Sequence, residues 1–167
     1  MKIKRLIFLT LIIINCITIF HFSNQVADTS SNTSGRVVNF IITTFPQFKN
    51  MPENEKEQIA QEILQPIVRK LAHFSIYTSL GIWVMSFALT FNNTDLKRGI
   101  YSLLFGIAYA TSDEIHQLFI EGRSCELRDV CIDSLGVLTG IVIVMIIVTI
   151  FRKIKQKGML EEKSNIN

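Results

Sequence analysis

The chain has 167 residues, 49% of them apolar, with a mean hydropathy of +0.35. That length allows one domain, and long apolar runs assign it to a membrane rather than to water. The formal charge of +3 comes without a basic stripe interleaved with aromatics, so nucleic acid is not an expected partner.

A hydrocarbon core about 30 Å thick takes about 20 helical residues to cross. Leu6 to Phe22 is the first run of that kind. It follows Met1-Lys2-Ile3-Lys4-Arg5, a basic start shared by cleavable signals and membrane anchors. Phe22-Ser23-Asn24-Gln25-Val26-Ala27 has no convincing small-x-small cleavage site, so an uncleaved anchor helix is expected.

Ser23 to Gly35 is rich in serine, threonine and asparagine and predicts an exposed loop. From Pro52, the apolar positions Ile59, Ile63, Leu64, Ile67, Val68 and Leu71 recur at helical spacing, with Glu53, Glu55, Lys56, Glu57 and Glu62 opposite. Pro52 suits a first helical position, while Pro66 predicts a kink or an end before the next span. This outer segment, 23–70, is expected to carry an amphipathic interfacial helix, either resting on the membrane surface or closing over a polar site as a lid.

The second span is expected over Leu71 to Phe91, the third over Leu96 to Ile120 and the fourth over Val130 to Phe151. The predicted fold is an all-α integral membrane protein: a four-transmembrane-helix bundle with the interfacial helix in its first outer loop, forming one domain over 1–167. With the N-terminus inside, ten Lys and Arg residues fall on the cytoplasmic side and seven outside. The basic ends at Lys2 to Arg5 and Arg152 to Lys157 dominate that bias, so both termini are expected in the cytoplasm of a cell membrane.

Cys16 lies in the first span, Cys125 in the second outer loop and Cys131 at the start of the fourth helix, with no CxxC pair among them. That spacing excludes a zinc ribbon or a thioredoxin-type motif. A Cys125–Cys131 disulfide is chemically open in an oxidising exterior, although small apolar side chains are the simpler reading.

Ionisable residues in a span are costly and normally face the bundle or water. Here their depths agree. Lys70, His73 and Tyr77 start the second span from outside, and Arg128, Asp129 and Asp133 start the fourth. Asp113, Glu114, His116 and Gln117 follow about 24 Å of rise along the third. All three groups are expected at the outer leaflet. Lys70, His73, Tyr77 and Gly81 share one helical face, as do Asp129, Asp133, Gly136 and Gly140, and Gly106, Tyr109, Ala110, Asp113, His116 and Gln117. Gly136-xxx-Gly140 is a small-residue packing motif that serves a homo-oligomer or the monomer's own interior equally well. A purely structural account of the polar residues is a network in which Arg123 or Arg128 pairs with Asp113, Glu114 or Asp129.

Several of these stretches are specific. Arg69-Lys70-Leu71-Ala72-His73-Phe74-Ser75-Ile76-Tyr77 with Leu80-Gly81 resembles the VanZ-like family of small bacterial membrane proteins, whose founding member is associated with resistance to the glycopeptide antibiotic teicoplanin. So do Ser112-Asp113-Glu114-Ile115-His116-Gln117-Leu118-Phe119, Gly122-Arg123 with Arg128-Asp129-Val130, and Asp133-Ser134-Leu135-Gly136. The likeness runs from about Phe22 to Gly140. Asp133 departs from it, standing where asparagine is expected in many relatives.

The resemblance implies a link to the cell envelope or to glycopeptide resistance, without a molecular mechanism. Two functions fit the residues. In the first, an outer-leaflet pocket binds a membrane lipid, a lipid-linked envelope component or a lipoglycopeptide antibiotic, with Lys70, Arg123 and Arg128 meeting anionic groups and His73, Tyr77, Asp113, Glu114, His116, Gln117, Asp129 and Asp133 completing the wall. The alternative is a membrane-embedded enzyme acting on an envelope lipid, with His73, Asp113, Glu114 and His116 as candidate catalytic groups. Asp113 and His116 at i and i+3, joined by His73 and Asp133, could hold zinc or another divalent ion. No HExxH, nucleophile elbow or phosphate loop accompanies them, so no metal or cofactor is assigned from sequence. A transporter is disfavoured because the ionisable residues stop in the outer third of the spans.

Overall fold

The computed structural model describes residues 2–24, 27–49, 51–123 and 125–164, with side chains for all of these except 27–33 and 160–164. Among the described residues all regular structure is helical. Helix α1 covers Lys2–Ser23 and α2 Ala27–Thr44. A 3-10 turn at Pro46–Phe48 precedes α3, Glu53–Ile59. A π turn at Ala60–Leu64 joins α3 to α4, Gln65–Ala88. Helix α5 is Asp95–Gln117 and α6 is Leu127–Ser164.

Among the described residues, three helices are long and apolar enough to cross a membrane: Lys2–Ser23, the continuous Glu53–Ala88 and Leu127–Met159. Helix α5 has the length, 23 residues, but Lys97 and Arg98 at its start and Asp113 and Glu114 near its end dilute its apolar run. It begins cleanly, because Thr94 is extended and its side chain accepts the Lys97 N–H at 3.4 Å.

Helices α1, α4, α5 and α6 pack together around Ile19, Tyr77, Leu80, Ala110, Val137 and Ile141. Glycine sets the closest approach. A Cβ at Gly136 meets the Phe74 carbonyl at 2.6 Å, and one at Gly106 meets Val137 Cγ1 at 2.5 Å. At Gly140 and Gly81 it collides with the Thr78 and Val137 carbonyls. The Gly136-xxx-Gly140 motif is therefore occupied by α4 of the same chain. Asn15 Nδ2 donates to Ser79 Oγ at 2.8 Å, and the Tyr109 hydroxyl donates to the Cys16 carbonyl at 2.7 Å, tying α1 to α4 and α5. Leu104, Ile146 and Ile150 point outward and exposed, an apolar exterior suited to lipid.

Two expectations for the first connecting segment give way. The stretch to Gly35 is not an exposed loop: α2 starts at Ala27 and packs against α4 and the π turn. The polar residues open a helix whose second half, with Val38 buried to 2%, supplies an apolar face. Pro66 neither ends the helix nor detaches an interfacial one. A proline clashes with the carbonyl four residues back and removes one donor. The π turn immediately before it widens the helix there, so that Glu53–Ala88 continues without interruption. Cys125 and Cys131 are unpaired, in line with the simpler reading, and both are exposed.

The two ends of the bundle differ. At one, Arg5 donates to the Thr90 carbonyl at 2.9 Å and sits 4.3 Å from the Phe91 ring centre. There Asp95 accepts from Arg98 at 2.6 Å and from Arg152 at 2.5 Å. The other end collects Ser23, the first turns of α4 and α6, and the last turn of α5.

Candidate functional site

At that second end, α4 turns Lys70, His73 and Tyr77 toward α6 on successive turns, and α6 answers with Asp129 and Asp133 above Gly136. The connection from α5 to α6 closes the space. Its sharp point is Gly122, whose φ of 74° lies in the left-handed region that favours glycine. The reversal brings Arg123 back over the bundle, with Nη1 donating to Gln117 Oε1 at 3.3 Å and Nη2 to the Phe22 carbonyl at 3.4 Å.

A cavity of about 70 Å³ results, lined by Arg69, Lys70, His73, Glu114, Gln117, Gly122, Arg123, Glu126, Asp129, Ile132 and Asp133. Its rim is strongly charged. Lys70 Nζ lies 2.5 Å from Asp129 Oδ1 and 3.9 Å from Glu126 Oε2. Burial first, and then the neighbouring Arg69, pull the Arg123 guanidinium below its usual range. Glu114, 1% exposed, accepts the Glu126 N–H at 3.2 Å and so holds the loop to α5. Gln117 Nε2 donates to Ser23 Oγ at 2.9 Å and reaches Asp113 Oδ2 at 3.5 Å.

The floor is buried and polar. Tyr77, Asp113 and Asp133 are 0%, 5% and 1% exposed. His73 Nδ1 is 3.7 Å from Asp133 Oδ2, beyond hydrogen-bond reach, and donor atoms of His73, Asp113 and Asp133 lie within 4.8 Å of one another. This assembly draws on the same three stretches as the sequence resemblance. The VanZ/LLP1 family model matches residues 8–149. The chain belongs to that family. No curated protein and no solved structure matches it.

The matched region takes in every residue of the VanZ/LLP1 cavity described above. Of the residues singled out in the sequence, Lys70, His73, Glu114, Gln117, Arg123, Asp129 and Asp133 line it, with Tyr77 and Asp113 buried below. Two do not join. Arg128 is exposed and off the cavity wall. His116 turns to α1, its ring stacked on Phe20 at 4.8 Å, while the other three of the four candidate metal groups, His73, Asp113 and Asp133, gather together. At the rim Lys70 pairs with Asp129, and Arg123 lies within the electrostatic reach of Asp113 and Glu114.

Sequence reasoning missed Glu126, and it marked Gly122 only as part of a family-like stretch, without its role as the turn of the loop. Ser23, one residue past the first expected span in the stretch where the likeness begins, joins the site by accepting from Gln117. Glu126 enters through its backbone N–H to Glu114 as well as its carboxylate near Lys70, and the first of these has no side-chain signal.

Proposed function

We propose that this VanZ/LLP1 protein spans the bacterial plasma membrane four times, with both termini cytoplasmic. Its outer-facing cavity binds the anionic headgroup of a lipid-linked or lipophilic envelope ligand, and this binding underlies tolerance of teicoplanin-type glycopeptides. The observation that carries the reading is the pair Arg69 and Arg123 lining one small polar cavity. Guanidinium groups suit phosphate and carboxylate, and two on one cavity wall invite an anion that both can meet. The cavity volume admits several waters or one headgroup and no acyl chain. Ile67, Leu71, Leu118 and Phe119, within a few residues of cavity-lining positions in the chain, are exposed and offer apolar surface to lipid tails.

Thermal unfolding of the full chain in neutral detergent tests this. Short-chain phosphatidic acid raises Tm by several degrees while phosphatidylcholine does not, and Arg69→Ala or Arg123→Ala removes the difference. Equal response to both lipids, or an undiminished response in both variants, refutes the reading. The enzyme alternative rests on Glu114, an acid buried beside the arginines. It requires that Glu114→Gln abolish function while leaving headgroup binding intact.

A further inference from the structure

At the floor of the cavity, charge and hydrogen bonding are left incomplete. Asp113 of α5 and Asp133 of α6 are both more than nine-tenths buried, and His73 of α4 completes a trio whose donor atoms lie within 4.8 Å of one another. Neither oxygen of Asp133 has a hydrogen-bond partner, and neither does the hydroxyl of Tyr77, fully buried one helical turn beyond His73. The nearby lysine is directed elsewhere, since Lys70 pairs with Asp129 at the rim. Two buried carboxylates this close together carry a large desolvation cost and repel one another.

We propose that His73, Asp113 and Asp133 bind one divalent transition cation, with Zn²⁺ and Mn²⁺ the best matches. One imidazole and two carboxylates form a mixed nitrogen and oxygen set that suits such ions, and two carboxylate charges neutralise the ion. Donor atoms sharing an ion at about 2.1 Å stand roughly 3 to 3.5 Å apart, so binding draws the trio inward by about an ångström. Three protein ligands leave a coordination position open. His73 and Asp133 also line the cavity, which gives an oxyanion held there direct access to the ion. The site stands on its own donor geometry and does not depend on the headgroup reading.

The full chain, carrying no polyhistidine tag, is purified in neutral detergent, stripped with EDTA, dialysed against Zn²⁺ or Mn²⁺ and assayed for metal by mass spectrometry. About one ion per chain is expected for one of the two metals. Asp133→Asn and His73→Gln each lower occupancy at least about tenfold at matched free metal, while His116→Ala retains it. Elution volume and helical circular dichroism confirm the fold, and His73→Gln decides the matter if Asp133→Asn aggregates. Folded wild type holding less than about 0.1 ion per chain overturns the proposal. So does occupancy that survives either substitution in a folded variant. Phosphatidic acid is absent throughout, so a failed headgroup experiment leaves this result unaffected.

Discussion

Lys70 on α4 and Asp129 on α6 are joined by a 2.5 Å ion pair at the rim of the cavity, with their side chains 25% and 29% exposed. The pair links the cavity ends of α4 and α6, the two helices that pack most extensively against each other. Partial burial places its worth between that of a free surface pair and that of a buried one. Lys70→Met or Asp129→Asn alone should destabilise the chain by about 1 to 2 kcal/mol. A double-mutant cycle, read by thermal unfolding in detergent, should return a coupling of about 1 kcal/mol. Additive losses would mean the two charges act independently.

Gly140 shows a different dependence. A Cβ there runs into the backbone carbonyl of Thr78, which cannot rotate aside. Gly140→Ala should therefore force α4 and α6 apart and cost about 1 to 3 kcal/mol. Gly158, further along α6, has open space where a methyl group would stand, with nothing within 4 Å. Gly158→Ala should be neutral or stabilising by up to about 1 kcal/mol through helix propensity. The two substitutions make the same chemical change on one helix, so their difference in Tm isolates interhelical contact from propensity.

The polar-bearing stretches were legible in the sequence because they obey helical spacing. Lys70, His73 and Tyr77 fall on one face, and the structure turns that face inward. His116 was misplaced because periodicity fixes a face only to within about a quarter turn. The residue turns to α1, where its ring stacks on Phe20. Helix α2 was hidden for another reason. Its first half has the composition of a loop, and packing of the helix on α4 repays the ordering of the chain. Pro66 does not end the helix, because the π turn before it accommodates the missing donor, a local feature that the sequence does not signal. The membrane character of α5 stays the least legible, since its ends carry charges the site and the opposite rim both use.

Asp95 governs the pH response of the opposite end. The hydrogen bond from Arg152, with that from Arg98, holds its carboxyl below the usual carboxylate range. A lowered folded pKa means that the stabilisation is present above the ordinary carboxylate pKa and is lost as pH falls through the depressed value. Wild type should accordingly exceed Asp95→Asn in Tm at about pH 7, by no more than roughly a few degrees for so exposed a cluster. The gap should shrink below about pH 4. A difference that grows on acidification would assign Asp95 the opposite role.

Glu114 offers the sharpest functional contrast, because its carboxylate both accepts the Glu126 N–H and borders the arginine-lined cavity. Glu114→Gln keeps the shape and one acceptor oxygen but removes the acid, so the loop should stay in place while any proton transfer stops. Expressed in a glycopeptide-sensitive Gram-positive host at matched membrane abundance, wild type should raise teicoplanin tolerance more than vancomycin tolerance. If binding alone protects, Glu114→Gln should keep most of that gain and Arg123→Ala should lose it, since the guanidinium meets the ligand and the glutamate holds the loop. If Glu114→Gln loses the gain while the same variant still responds to phosphatidic acid, the acid acts on the bound molecule and the enzyme reading takes over. Wild type without any protection leaves the helical fold and the family standing and removes glycopeptide tolerance from this chain.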